Sequence, residues 1–442
     1  MNIYALSSGR GPSGIAIVRI SGSETLKICQ NLTKSMDIKS NEVNFCKFYD
    51  PNNGNVIDPE ALLLWFPGPN SYTGDDLAEF QVHGGNAVIN ALLKALSEQD
   101  NCRLAEPGEF TKLAFQNNKI NLLKAESIGD LIASETELQR KQALRIMTGE
   151  SYKKYESWRE GLIKILSELE AKIDFPDEDI STEISEEIKL MSEKIKNEIK
   201  KTLADNTGEI IREGFKIAII GPPNVGKSSL LNYLSKRQVA IVSEIAGTTR
   251  DVIEIHLDLG GMPVIISDTA GIRDSSDEIE SRGVKLALNR ADEADLNIIL
   301  LDPKNLDFKG FLSDEISKKS IIAINKSDLA SDKLTIKEKF KTVVMSIKED
   351  KNVDELINEI KLRLKKQFLK TENILITRSR HRQHLNECYN QLVSFEEKKN
   401  SHEFDKAAED LRLSIRHLGT IVGRVDVEEI LGSIFENFCI GK

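Results

Sequence analysis

Long hydrophobic runs are missing from this chain. Its most apolar stretches, such as Ala61–Phe66 and Asn297–Leu301, fall far short of the ~20 residues that a membrane-spanning helix needs, so the sequence implies no membrane role. Cysteine is scarce and odd in number: five residues, Cys29, Cys46, Cys102, Cys388 and Cys439, are scattered with no C-x-x-C spacing. That excludes a disulfide frame or a zinc site and suits reduced thiols. Residues 1–10 lack the basic, apolar, small-residue order of a secretory signal, so the expected location is cytoplasmic. A basic excess is absent as well. The net charge of −10 argues against nucleic-acid binding by the whole surface, DNA included, and leaves only local basic patches.

What remains is ordinary globular material. The 442 residues suffice for about three domains. Residues 1–118 mix short strands and helices and read as an α+β domain. Ile15–Ile20 is a strand carrying Arg19, and Ala61–Phe66 is another. Leu77–Val82 alternates, with Glu79 opposite Phe80; Gly84-Gly85 ends it, and Ala87–Leu96 has helical spacing. From residue 119 the period becomes helical. Leu122, Leu123, Ile128, Leu131 and Ile132 lead into one long pattern from Ser134 towards Ile173, broken by Phe175-Pro176-Asp177. Ile184, Ile188, Met191, Ile195, Ile199 and Leu203 line one face of the next helix. Helical character returns after residue 350, so an all-α domain (119–214 and 369–442) is expected with an α/β domain (215–368) inserted into it.

The inserted domain carries the chemistry. Ile217–Ile220 is an apolar strand running into Gly221-Pro-Pro-Asn-Val-Gly226-Lys227-Ser228, which fits G-x-x-x-x-G-K-[ST] and opens a helix. In that pattern backbone N–H groups wrap a polyphosphate, the lysine reaches the β/γ phosphates, and the serine gives an oxygen to Mg²⁺. Val225, Gly226 and Ser229 complete the phosphate loop. Downstream lie Ser243-Glu244-Ile245-Ala246-Gly247-Thr248-Thr249, with Thr249 the candidate switch threonine on Mg²⁺, and Asp268-Thr269-Ala270-Gly271, where Asp268 would hold Mg²⁺ through water. Asn325-Lys326-Ser327-Asp328 follows an apolar strand, Ile321–Ile324, about 100 residues after the loop. A carboxylate there accepts from guanine N1–H and its exocyclic amine, and adenine leaves it unpaired, so the nucleotide is GTP. Ser346 follows the last strand, Val343–Met345. Alternating strands and helices imply a doubly wound, mostly parallel sheet.

Two features stay open at this level. The residue after Gly271 is Ile272, not the glutamine that orients water in many GTPases, so water must be oriented otherwise. Arg273, Asp274, Asp277, Glu278 and Glu280 are candidates, and most of that cluster reads equally as a solvated loop. The basic run Thr377-Arg-Ser-Arg-His-Arg-Gln-His384 has the charge to touch RNA phosphates or to make a solvated helix start.

The segments IAIVRISG, SYTGDDLAEFQVHGG and RLAEPGEFTKLAFQNNKINLLKAESIGDLI, the loop PNVGKSSLLN, IAGTTRD, DTAGIR, NKSD and the terminal FCIGK together resemble the MnmE (TrmE) family of tRNA modification GTPases, in the TrmE-Era-EngA-like group. The resemblance spans essentially the whole chain, with Leu113 and Asn121 as small departures. It implies that residues 1–118 bind a tetrahydrofolate derivative (the 5,10-methylene or 5-formyl form) and dimerise the protein, with Arg19, Glu79, Lys119 and Lys442 on the folate. It implies K⁺ activation on G-domain pairing, with Asn224, Ser243, Ile245 and Thr248 as the cation cage, and Glu280 orienting the attacking water. Cys439 then has two readings, a buried small hydrophobe or a thiolate in the modification chemistry beside Lys442. The implied function is addition of an aminomethyl or carboxymethylaminomethyl group to C5 of the wobble uridine of tRNA, with a flavin-dependent partner, MnmG, supplying FAD. The competing class is a regulatory RNA-binding GTPase of ribosome assembly. That would carry an RNA-binding appendage such as a KH domain with a G-x-x-G loop, and none follows residue 350.

Overall fold

The computed structural model describes residues 1–9, 11–174, 186–237, 239–241, 254–268, 289–306, 319–330, 340–368, 374–398, 404–425, 428–435 and 438–441. The contacts divide the chain into two compact units. One combines Met1–Gly129, Tyr152–Glu160 and Ile415–Lys442; the other combines Asp130–Ser151 and Gly161–Ser414.

The first unit begins β1 (Asn2–Leu6), β2 (Ser13–Ser21), α1 (Thr25–Thr33), β3 (Val43–Tyr49), β4 (Val56–Phe66), β5 (Leu77–Gly84), α2 (Asn86–Ser97), β6 (Cys102–Leu104), α3 (Glu109–Gln116) and α4 (Leu122–Ile132). Its six strands order as β3-β4-β5-β2-β1-β6, antiparallel except for the β1–β6 pair. In β5 the residues Ala78, Phe80 and Val82 are buried while Glu79, Gln81 and His83 alternate onto the other face. This is the period-2 pattern of a strand with one covered face. The strand outruns its expected end: Gly84 still pairs with Ser13, and a Cβ there would lie 2.5 Å from the Ser13 carbonyl oxygen. Only glycine permits that approach.

The second unit holds α5 (Glu137–Met147), most of α6 (Glu150–Asp174), α7 (Glu186–Leu203) and α8 (Thr207–Glu213) before its sheet. The single long helix expected from Ser134 to Ile173 is two. Thr136 accepts from Gln139 N–H and the Gln139 side chain accepts from Thr136 N–H, a capping box that starts α5. Gly149, at φ +86°, separates it from α6.

The sheet runs β7 (Phe215–Ile220), β8 (Val239–Ile241), β9 (Glu254–Asp258), β10 (Pro263–Asp268), β11 (Leu296–Leu301), β12 (Ser320–Ile324) and β13 (Thr342–Val344), with α9 (Lys227–Arg237) after β7 and α10 (Val353–Phe368) after β13. Spatial order is β13-β12-β11-β7-β10-β9-β8. The first five are mutually parallel; β9 and β8 form the antiparallel edge. The central strands β7, β11 and β12 carry apolar runs, Ile217–Ile220, Ile298–Leu301 and Ile321–Ile324, because both faces are covered. Ile217 and Ile219 enter one core, and Ala218 and Ile220 the other. The β9–β10 hairpin turns at Gly260 (φ +73°) and Gly261 (φ +85°), the left-handed pair that a tight hairpin demands. Within this unit α5 meets that turn: Leu138 N–H donates to the Gly261 carbonyl at 3.0 Å. Helices α11 (Ser379–Lys398) and α12 (Phe404–Val422) follow; from Ile415, within α12, the chain belongs to the first unit again, α13 (Glu428–Phe435) included. No helix among the described residues is long and apolar enough to cross a membrane.

Candidate functional site

The phosphate loop is shaped by where side chains cannot be. Gly221 follows β7 at φ +149°, and a Cβ on it would lie 2.2 Å from the Leu300 carbonyl. Gly226, at φ +104°, would drive a Cβ to 2.5 Å from Asn325 Nδ2. Asn224 between them is left-handed at φ +61° and exposed. Val225 is the buried anchor of the loop. Lys227 opens α9 and folds back over the loop, donating through Nζ to the Gly221 and Pro222 carbonyls at 2.9 Å each. Ser228 and Ser229 are exposed in the first turn of α9, which carries no acidic residue. The positive end of the helix therefore meets no anion of its own first turn.

The base-reading element is tied to that loop. Asn325, 4 % exposed, donates from Nδ2 to the Val225 carbonyl at 2.9 Å and accepts at Oδ1 from Ile347 N–H at 3.1 Å. Lys326, left-handed at φ +59°, donates to the Asn224 carbonyl at 2.6 Å and to Asp302 Oδ2 at 2.8 Å. That ammonium holds the Asp302 carboxyl below its ordinary range. Asp328 accepts from the Ser346 hydroxyl at 2.7 Å, which lowers its carboxyl in the same way and fixes one oxygen. The loop is thereby braced by two adjacent side chains, Asn325 and Lys326, and the Asp328 carboxylate by Ser346.

The first unit brings a second set together. Arg19 on β2 and Glu79 on β5 are direct cross-strand partners; Arg19 donates through Nη2 at 2.6 Å and Nε at 3.1 Å to the same oxygen, Oε1. Glu79 Oε2 keeps its acceptor capacity, and the pair is 17 % and 19 % exposed. The guanidinium lies 5.5 Å from the Tyr72 ring centroid and 5.7 Å from that of Phe110. Lys119 Nζ donates to the Pro69 carbonyl at 2.7 Å. The C-terminal tail docks on this unit: Ile440 bridges Pro107, Ser7 Oγ donates to the Gly441 carbonyl at 2.8 Å, and Gly108 N–H to the Cys439 carbonyl at 3.4 Å. The Cys439 side chain is exposed rather than buried.

A family model described as the GTP-binding protein TrmE N-terminus matches residues 2–119, and one described as the MnmE helical domain matches residues 122–439. A tRNA modification GTPase MnmE of Pelagibacter ubique is 59 % identical over 444 residues, covering all of both chains. The one from Rickettsia canadensis is 46 % identical and covers 100 % of this chain and 99 % of that one. The chain belongs to the MnmE family of tRNA modification GTPases. Among solved structures, the G domain of the T. maritima FeoB iron transporter is 26 % identical, covering 34 % of this chain and 98 % of that one, at a TM-score of 0.26.

As an MnmE-family GTPase the chain presents the Gly221–Ser228 loop after β7 and the Asn325–Asp328 element after β12. Asp268 sits at the end of β10, paired with Ile219 of β7. Ser243, Glu244, Ile245, Ala246, Gly247, Thr248, Thr249, Thr269, Ala270, Gly271, Glu280 and Lys442 lie outside the described residues.

The basic run of this MnmE chain does not make a solvated helix start. Arg378 donates to Asp130 Oδ1 at 2.7 Å. Arg382 grips Glu209 with contacts of 2.6 to 3.1 Å and donates to the Leu203 and Asp205 carbonyls at 2.6 and 2.8 Å. These guanidiniums are 19 % and 27 % exposed, and His381 is buried. Their charge is spent inside the second unit, where the α7–α8 connection presents carbonyls and a carboxylate that need donors.

Sequence reasoning missed Asp302, Tyr72 and Phe110. Asp302 stands directly after the apolar strand β11, at the carboxyl end where ligand loops gather, and that position was the available signal. Tyr72 and Phe110 had none, because their convergence on Arg19 depends on strand pairing.

Proposed function

We propose that this GTPase works as a K⁺-activated homodimer with a flavin-dependent partner of the MnmG kind. Together they add an aminomethyl or carboxymethylaminomethyl group to C5 of the wobble uridine of tRNA. The carbon comes from a tetrahydrofolate derivative bound in the first unit. Mg²⁺ sits with GTP on Ser228, Thr249 and, through water, Asp268. Asn224 anchors the cation cage completed by Ser243, Ile245 and Thr248, and Glu280 orients water in place of the absent glutamine. A monovalent cation there neutralises charge developing on the transferring phosphoryl group. GTP hydrolysis opens and closes paired G domains rather than performing the modification, in a cytoplasmic enzyme.

One observation carries this reading beyond a bare GTPase. Arg19 and Glu79 form a largely buried pair flanked by two aromatic rings, and among the described residues Glu79 retains one unused oxygen. That donor set fits a pterin, whose amine and ring N–H make a donor edge for a carboxylate, with aromatic walls for the ring. Lys119 and Lys442 are cations for the folate carboxylates. On the G domain, the exposed Asn224 side chain fits a cation ligand, since among the described residues only its backbone carbonyl is engaged, by Lys326.

The deciding experiment is GTP turnover in KCl against NaCl at equal ionic strength, with 5,10-methylene-tetrahydrofolate binding measured beside it. Turnover is expected to rise at least tenfold in KCl, and Glu79→Gln to lose folate binding while keeping that rise. Equal rates in both salts overturn the cation cage; full folate affinity in Glu79→Gln overturns the folate assignment.

A further inference from the structure

Beside the Arg19–Glu79 pair, on the same face of β5, stands a group that nothing above uses. His83 is 63 % exposed at its side chain, yet its ring is fixed. Nδ1 lies 3.0 Å from both oxygens of Asp58, whose side chain is 1 % exposed. The same carboxylate accepts the backbone N–H of His83 at 2.8 Å and that of Glu60 at 3.2 Å. Facing two carboxylate oxygens, Nδ1 is the nitrogen placed to donate, and in the neutral ring that leaves Nε2 as the acceptor. A buried carboxylate that fixes the tautomer of an exposed imidazole is the arrangement that prepares a histidine to take up a proton.

The neighbours on that face do not offer this. Arg19 is a permanent cation, Glu79 is engaged by it, and Gln81 is neutral. Glu79 and His83 are four residues apart on one strand face, about 13 Å along the chain by the rise of a strand. The imidazole therefore shares a sheet face with the pair assigned to the pterin.

We propose that His83 is the base that removes the C5 hydrogen of the substrate uridine, with Asp58 as its positioning residue. This rests on the folate-dependent reading above. In the step, the C5=C6 π pair makes the bond to the methylene carbon of the folate iminium, whose C=N π pair passes to the folate nitrogen, and the charge left at C6 is carried by N1; the C5–H bond then breaks and its electron pair restores the C5=C6 double bond. The proton goes to His83 Nε2, and the resulting imidazolium stands against the Asp58 carboxylate.

The test uses the full chain with its flavin partner, methylene-tetrahydrofolate, GTP and tRNA labelled with tritium at C5 of uridine. His83→Ala is expected to lower the rate constant for tritium release by about 100- to 1,000-fold, the usual worth of a general base. GTP turnover, folate binding and the KM for tRNA stay as in wild type. Added imidazole restores part of the lost rate, which no structural role would permit. Asp58→Asn costs about 10-fold or more, as loss of an orienting partner does. Independently of activity, ¹⁵N-histidine NMR is expected to find the Nδ1–H tautomer of His83 in wild type and a mixture in Asp58→Asn.

Full tritium release by His83→Ala overturns the proposal. So does a raised KM with an unchanged rate constant, a loss that imidazole leaves untouched, or a mixed tautomer in wild type. If wild type releases tritium without any folate requirement, the folate reading fails while the base assignment survives. If wild type releases none, both fail.

Discussion

The nucleotide site and the Arg19–Glu79 site are built on opposite plans. In the first, six consecutive residues, Gly221–Gly226, make the cradle, and the chemistry belongs to their backbone N–H groups and to the glycines that let them converge. In the second, a side chain from β2 meets one from β5 sixty residues later, and rings from two further segments close around them. The difference teaches where function hides. A site made of local backbone leaves a spaced motif; a site made of cross-strand side chains leaves isolated charges that look like surface.

The sharpest way to break this comparison is Lys227→Ala. It should reduce GTP turnover by at least 100-fold, the scale of losing one preorganised charge at a developing anion, and leave folate binding untouched; phosphate release and folate titration check it. Coupled loss of both would deny the sites their independence. Next in size, Asp328→Asn should weaken GTP by about 2–3 kcal/mol, a charged hydrogen bond lost to a base edge, measured by fluorescent nucleotide titration. Xanthosine nucleotides should bind the variant better than GTP does, because the amide can now donate to the base.

Arg382→Ala tests the basic run. Its loss leaves Glu209 and two carbonyls short of a donor, so stability should fall by about 1–3 kcal/mol in urea. Binding of tRNA by the remaining folded protein should keep its salt slope; a slope lower by about one unit would make Arg382 a phosphate contact after all. The smallest effect concerns Asp302. Its carboxyl is held below the ordinary range by Lys326, so the Lys326 tie is fully present above that ordinary range. It fades as pH falls through the lowered value. Nucleotide affinity should weaken below about pH 4, and Asp302→Asn should remove that decline.

Most of the sheet in the second unit was legible. β7, β11 and β12 each end in a run of four apolar residues, and such runs state burial on both faces and hence parallel pairing. The break at Gly149 was not legible, because the helical period on either side continues across it and only the positive φ reveals the split. The basic run misled for a related reason. Charge density is a property of sequence, but neutralisation depends on Asp130 and Glu209, which come from distant helices. The bond from Asn325 to the Val225 carbonyl was hidden behind two motifs that sequence treats as separate words.

The tail contact carries a consequence in time. Ser7 and Gly441, 434 positions apart, are joined by one hydrogen bond, and Ile440 is bridged to Pro107. A ribosome delivers β1 among the first residues and the tail only after the whole inserted GTPase domain has emerged. The N-terminal sheet must therefore wait, its docking strip uncovered, while a second core of independent topology collapses between its two halves. Closing so long a loop adds little entropy cost beyond that of a short one, because the penalty grows only with the logarithm of length. The delay is set by translation rather than by thermodynamics. Maturation of the first unit is thus gated by prior synthesis of the second.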